Sequence, residues 1–291
     1  MRATRGAATA ARVAVLGVFA AIMAVPLVWL ALAPTKTDDA LASAGPLAFG
    51  SLARFGDAWS HLLLYNDREI LTWAGNSVLY AASTLLLAVC ACIPAGYGLG
   101  TARFAGRTLI LTLTLIAMIM PGSALVLPLF LEMNVAHLIN TGLAVILPAA
   151  FFPFGVYLCY IYFATSLSRE LLAAGRIDGC SEGRLFWSIA LPLSKPILGL
   201  IAFFSFVGNW NNYFGVIVMI TDDTKYNLPA GLGALIAGTP ALNPALGGSQ
   251  LPIHRPEVAL AGLIVVLPVL FLFLFSQRFV QAGFLAGAEK G

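Results

Sequence analysis

The stretch Thr165–Pro196, TSLSRELLAAGRIDGCSEGRLFWSIALPLSKP, carries more organisation than any other part of this chain. Leu167, Leu171 and Ala174 recur at helical spacing. Gly179 interrupts that pattern, and glycine tolerates the positive φ needed where a chain turns between two helices. Ser181 is placed to cap a second short helix. Leu185, Phe186, Trp187 and Ile189 then lead into Leu191-Pro192, and Pro192 and Pro196 open a long apolar run. Two short helices around a glycine predict a compact protrusion. It reads either as a loop folded against its own bundle or as a knob that docks into a partner's groove.

What flanks this stretch decides the setting. The 291 residues are 60% hydrophobic and 10% charged, with a mean hydropathy of +0.91. Soluble domains carry about 25% charged residues, so a soluble globule and a disordered chain are both excluded. The net charge of +3 is too small and too dispersed for a nucleic-acid binder. A helix needs about 20 apolar residues to cross a hydrocarbon core roughly 30 Å thick. Six stretches qualify, near 13–33, 74–100, 108–131, 142–164, 197–220 and 257–279. The runs are continuous rather than alternating, which argues against a β-barrel. The expected fold is therefore all-α, a polytopic bundle of six membrane helices, with 1–72 an anchor helix plus an extracytoplasmic segment and 73–291 the main transmembrane domain, including the 165–195 loop.

Six spans put both termini on one side. Eleven Lys and Arg residues fall on that side, among them Arg103, Arg107, Arg169, Arg176, Arg184 and Lys195, against five on the other. The positive-inside rule makes the termini cytoplasmic. The first span has a second reading. Arg2, Arg5 and Arg12 before an apolar run, with Ala31-Leu32-Ala33 after it, also fit a cleaved signal peptide. The run is longer than the usual signal core of about 7–15 residues, and it contains Pro26 and Trp29, which favours an uncleaved anchor. None of the four cysteines lies in an outer segment, so no disulfide framework is expected.

Several chemistries are missing. The four lysines follow Thr35, Ser194, Thr224 and Glu289, never glycine, so there is no phosphate-cradling P-loop. No HExxH occurs and no metal site is expected. No carboxylate pair sits within a span, which weakens the alternative of an ion-coupled secondary carrier or channel. Gly179-Cys180-Ser181-Glu182-Gly183 fits the GxSxG string of serine hydrolases. That motif needs a preceding strand and a nearby histidine. His61, His137 and His254 all fall on the side opposite Ser181, so no catalytic residue is assigned.

The register of the 165–195 loop resembles the EAA loop of bacterial ABC importer permeases: EAA, three residues, Gly, nine residues, Ile-x-Leu-Pro. Here Ala173-Ala174-Gly175 precedes Arg176-Ile177-Asp178-Gly179, and nine residues later come Ile189-Ala190-Leu191-Pro192. Asn76-Ser77, Arg103-Phe104-Ala105-Gly106-Arg107, Pro121-Gly122, Pro128-Leu129-Phe130, Trp210-Asn211-Asn212 and the tail from Ala286 to Gly291 are similar to further motifs of the carbohydrate-importer branch, in particular its maltose-type second permease. The family's glutamate falls at Ala173 and its second alanine at Gly175; Glu170, about one turn earlier, is the candidate replacement.

The resemblance implies a permease in a bacterial inner (plasma) membrane. It would share a pathway with a second homologous permease, rest on two ATP-binding cassette subunits and receive sugar from an extracytoplasmic solute-binding protein. No cofactor would be bound by this chain, with ATP and magnesium on the ATPases. Glu170, Ala173, Ala174, Gly175, Asp178, Gly179, Ile189, Leu191 and Pro192 would then meet the ATPase. A second contact would come from Ala288, Lys290 and Gly291 in the tail, which also reads as a frayed terminus.

For the solute, Asn209, Trp210, Asn211, Asn212 and Tyr213 form the densest polar and aromatic cluster in any span. They lie roughly 20–24 Å beyond Pro196 at about 1.5 Å per residue. Sugars are bound by such groups without need of charge. The cluster reads equally as pathway lining and as interhelical packing with a helix break near Gly208, and periodicity points Asn209 and Tyr213 the same way. The outer segments 34–72 and 221–256 are long enough to meet a binding protein, and the second, rich in Gly, Pro and Asn, reads as loop.

Overall fold

The computed structural model describes residues 2–239, 242 and 253–288, with side chains excluded at 2–8, 10 and 278–288. All regular structure among the described residues is helical. In order the helices are α1 (Arg2–Leu32), α2 (Asp38–Ser43), α3 (Leu52–Leu64), α4 (Glu69–Thr101), α5 (Arg107–Ile119), α6 (Gly122–Val135), α7 (Gly142–Ala150), α8 (Pro153–Thr165), α9 (Arg169–Ile177) and α10 (Glu182–Leu185). A π-helical turn (Phe186–Ala190) follows, then α11 (Leu191–Leu193), α12 (Lys195–Trp210), α13 (Tyr213–Met219), α14 (Leu228–Gly238) and α15 (Arg255–Ala288).

Four stretches cross a bilayer by length and apolarity, Ala11–Thr35, Glu69–Thr101, Gly142–Thr165 and Arg255–Gln277, and two more are bent pairs. The architecture is thus the expected all-α membrane bundle. The bends are the departure from a row of straight spans. The expected third span is two helices, α5 and α6, at 107° to each other. Pro121 causes this: the residue before a proline avoids the helical region, and Met120 accordingly sits at φ −64°, ψ 126°. The second bent pair is Glu182–Leu193 with Lys195–Trp210, at 75°. The expected fifth span also breaks at its far end. α12 stops at Trp210, and the chain restarts as α13 with Asn212 as N-cap, its side chain accepting from Gly215 N. The break therefore lies three residues beyond Gly208, which stays inside α12. The segment 221–256, read as loop, contains the three-turn helix α14.

The chain divides into two compact units, Met1–Leu71 with Gly231–Leu267, and Thr72–Ala230 with Pro268–Gly291. In the first, a tight turn at Ala33–Thr35 is the anchor point. Thr35 accepts from Gly50 N at 3.0 Å and from Ser51 N at 2.7 Å, through Oγ1 and the carbonyl oxygen respectively. The backbones approach so closely that a Cβ on Gly50 would lie 1.8 Å from the Thr35 oxygen. Lys36 is buried and donates to the carbonyls of Gly45 and Pro46. His61 and the buried Glu257 pair at 2.9 Å.

In the second unit, a core of Ile93, Tyr97, Phe163, Leu167, Leu172, Leu185, Ile197 and Leu200 joins α4, α8 and α12 to the 165–195 loop. Small residues let the helices close up. A Cβ on Gly96 would meet Cys159 at 2.0 Å, and one on Gly100 would meet Phe163 at 2.9 Å. A second core, Tyr80, Ala144, Val145, Val216 and Ile220, lies between α4, α7 and α13.

Candidate functional site

The 165–195 loop folds as a helical hairpin whose turn chemistry can be traced residue by residue. Ser168 caps α9, its Oγ accepting from Leu171 N at 3.3 Å. α9 ends in a Schellman motif: Cys180 N donates to Gly175 O at 2.9 Å and Gly179 N to Arg176 O at 3.1 Å. Gly179 has φ +81°, a region that costs other L-residues about 1–2 kcal/mol. Ser181 then caps α10, accepting from Arg184 N at 3.3 Å. Arg176 forks onto Glu182, Nε to Oε1 at 2.6 Å and the second nitrogen to Oε2 at 3.2 Å, tying the two helices together. Pro192 lacks an N–H and its ring crowds the carbonyl one turn back. The turn before it widens accordingly, with Leu191 N reaching Phe186 O five residues earlier.

One side of the hairpin is packed onto the bundle. Leu172, Leu185 and Ala190 are buried, and burying each leucine is worth about 1.5–3 kcal/mol. Gly175 lets the two helices touch, since a Cβ there would lie 2.5 Å from Leu185 Cδ2 and 3.4 Å from Ile189 Cδ1. Phe186 packs on Tyr97 with ring centres 5.2 Å apart. Tyr162 OH donates to Leu193 O at 2.6 Å, pinning the far end.

The other side faces out. Ile177 is 86% exposed, Trp187 67% and Leu171 42%. Glu170, Ala173, Ala174, Asp178, Gly179 and Pro192 are exposed as well, while Gly175 is buried and Ile189 and Leu191 are half-buried. Glu170 is held below the usual carboxylate range chiefly by a hydrogen bond from Ser168 Oγ, 2.6 Å away. Glu182 is lowered chiefly by the hydrogen bond from Arg176, whose own value is raised by it.

Leu167, Leu171 and Ala174, which recur at helical spacing, do not share an environment: Leu167 is buried and the other two are exposed. The helix starts only at Arg169, so Leu167 precedes it and Leu172 is the buried leucine of α9. Leu171, Ala174 and Ile177 are the exposed apolar residues of α9, and the sequence places neither Ile177 nor Trp187 among the expected coupling residues. The GxSxG string is a turn between two helices without a preceding strand, and Ser181 Oγ is engaged in capping.

The cluster at the end of α12 is not brought together as one polar surface. Asn209 turns its amide back to Ser205 O at 2.7 Å, and Asn211 does the same to Val207 O at 2.9 Å. Trp210 is 3% exposed and stacks on Phe206 with ring centres 5.3 Å apart. Asn212 caps α13 and accepts from Asn227 Nδ2 at 3.0 Å. Only Asn211 and Tyr213 of the five are exposed. The common direction expected for Asn209 and Tyr213 assumed an unbroken helix, and the break between them removes its basis. An apolar cavity of about 280 Å³ between α6, α7 and α13 is reached by Asn212 alone of the five.

Sequence reading also gave no role to a latch on α4. Trp73 Nε1 donates to Asp223 O at 2.8 Å, Asn76 Nδ2 to Thr224 O and Tyr226 O at 2.9 Å each, and Tyr80 OH to Lys225 O at 2.8 Å. Ser77 Oγ accepts from Leu228 N at 2.7 Å. Of the C-terminal residues, Ala288 ends α15, whereas Lys290 and Gly291 lie outside the described residues. Among the described residues no three His, Cys, Asp or Glu side chains gather as a metal site.

Known proteins match this arrangement. Residues 92–285 fit the family model for binding-protein-dependent transport system inner membrane components. The arabinooligosaccharides transport system permease protein AraQ of Halalkalibacterium halodurans is 36% identical over 221 residues, 76% of this chain and 74% of its own. The maltodextrin transport system permease protein MdxG of Bacillus subtilis is 30% identical over 230 residues, 78% of each chain. A solved bacterial ABC transporter involved in import of the acidic polysaccharide alginate superposes with a TM-score of 0.77 at 22% identity, over 92% of this chain and 94% of that one, which shows a common fold. The family model covers about two thirds of the sequence, including the whole α9–α11 hairpin, and the chain belongs to the binding-protein-dependent transport system inner membrane components as a membrane-spanning permease subunit.

Proposed function

We propose that this chain is a permease of an ATP-driven importer of sugars, of the oligosaccharide class named for its relatives. It forms half of the translocation pathway with a second homologous permease, above two ATP-binding cassette subunits, and takes solute from an extracytoplasmic binding protein. Both termini are cytoplasmic. The chain is non-catalytic and binds no cofactor of its own; ATP and magnesium belong to the ATPases. In this reading Glu170, Ala173, Ala174, Asp178, Gly179 and Pro192 form the outward coupling surface, with Gly175, Ile189 and Leu191 holding its shape. Glu170 stands in for the glutamate absent at Ala173, and the tail to Gly291 makes a second contact.

The observation that supports this is the two-faced hairpin. Its inner side is fixed to the spans by Leu172 and Leu185, and its outer side leaves Ile177 and Trp187 uncovered. Exposed apolar groups rimmed by polar ones mark an interaction site. A rigid element carrying such a surface passes a partner's two-state motion into the bundle. At the end of α12, the exposed Asn211 and Tyr213 are the positions proposed to line the pathway, while Asn209, Trp210 and Asn212 hold the break in shape.

The test is to solubilise the tagged chain from native membranes, identify what accompanies it, and measure uptake of a panel of mono-, di- and oligosaccharides by the reconstituted assembly. Co-purification of an ATPase and a second permease, with strictly ATP-dependent sugar uptake, is expected. Uptake by this chain alone, driven by an ion gradient, would overturn the reading.

A further inference from the structure

Arg103, Arg107, Arg169 and Arg176 line a single cavity of about 250 Å³, together with the apolar Phe163, Leu167 and Leu172. It sits where α4 ends at Thr101, α5 begins at Arg107 and α8 ends at Thr165. Spans end there, so the cavity lies at the depth of lipid phosphates whichever way the chain is oriented.

The four charges are only partly answered. Arg176 is engaged by Glu182. Arg107 donates to Leu99 O at 2.7 Å and lies 5.5 Å from the centre of the Tyr160 ring, contacts that orient it without neutralising it. Glu170, next to Arg169, turns its carboxylate to Ser168. Among the described residues, neither Arg103 nor Arg169 has a carboxylate partner. Guanidinium forks match phosphate oxygens in geometry as well as charge. Basic pockets between membrane helices are also where anionic headgroups bind. The source of the phosphate follows from α5. Directly after Arg107, Leu109, Ile110 and Leu113 are 62%, 44% and 54% exposed, and Ile110 shares the face of Arg107 by helical spacing. An apolar surface running into the membrane from a basic cavity suits acyl chains hanging from a bound headgroup, and a free anion would have no use for it.

We propose that this cavity binds the phosphate of an anionic phospholipid, clamped by Arg103 and Arg169. None of the residues proposed to line the solute pathway lines this cavity.

Native mass spectrometry of the full chain in detergent, titrated with phosphatidylglycerol, phosphatidylcholine and inorganic phosphate, tests it. Selective retention of phosphatidylglycerol is expected. The double variant Arg103→Gln/Arg169→Gln should bind it roughly thirtyfold more weakly, from the worth of two basic groups near an anionic surface. The single variant Arg103→Gln should lose roughly fivefold on the same basis and keep the native melting temperature. Equal binding of the two lipids, undiminished binding by the double variant, or displacement by millimolar phosphate would overturn the proposal, the last by making this a free-anion site.

Discussion

Asn76 donates its side-chain amide to two backbone carbonyls at once, those of Thr224 and Tyr226, each at 2.9 Å. Trp73 and Tyr80, one turn to either side, take Asp223 O and Lys225 O, so one face of α4 captures four consecutive carbonyls. Loops carry orphan backbone groups that must find partners. Trp73, Asn76 and Tyr80 supply the donors here, and Ser77 Oγ accepts from Leu228 N.

Replacing Asn76 with Ala leaves two carbonyls without that donor. The expected cost is about 1–3 kcal/mol, concentrated in the 221–228 segment. Limited proteolysis should cut there faster in the variant than in the parent. An unchanged cleavage pattern and melting temperature would show that the latch holds nothing.

Gly179→Val forces a β-branched residue into φ +81°, at about 1–2 kcal/mol or more. No atom lies within 4 Å of the Cβ position, so strain rather than collision is the cause. The variant should insert normally and lose ATP-coupled uptake, and Gly179→Asn should lose less, because asparagine tolerates this region. Full uptake by the valine variant would remove the glycine from the coupling device.

Ser181→Ala removes a helix cap worth about 1 kcal/mol and should leave transport close to the parent level, with Ser181→Asp restoring the lost stability. Abolished transport in the alanine variant together with retained stability would point to chemistry at the hydroxyl instead.

Much of this was readable from the sequence, for identifiable reasons. The spans follow from uninterrupted apolar runs, and the hairpin follows from Gly179 and Pro192, whose backbone demands leave few conformations. The rest depended on packing. Which side of α9 faces inward is set by Gly175 meeting Leu185 across the hairpin, and Leu171 and Leu172 are equally apolar neighbours until that contact is seen. α14 begins where Leu228 N finds Ser77 Oγ, 151 residues away, and no local pattern announces it. The 107° bend was signalled by Pro121, but hydropathy alone smoothed it into a straight span.

The Arg176–Glu182 fork predicts a one-sided pH dependence. The folded pKa of Glu182 is lowered, so the fork's contribution is present above the unfolded value of about 4.3. It fades as pH falls from there through the lowered folded value. The melting-temperature difference between the parent and Glu182→Gln should therefore be constant from neutral pH down to about 5 and vanish in stronger acid. A difference that grows as pH falls would contradict the assignment.

Ile177, at the tip of α9 and 86% exposed, offers the most direct test of the coupling hairpin. A cysteine placed there in the assembled transporter, treated with a short bifunctional cross-linker, should join this chain to the ATPase subunit and change its cross-linking yield when ATP is added. Labelling of that cysteine by a lipid-dissolved probe, with no adduct to any other polypeptide, would contradict the account.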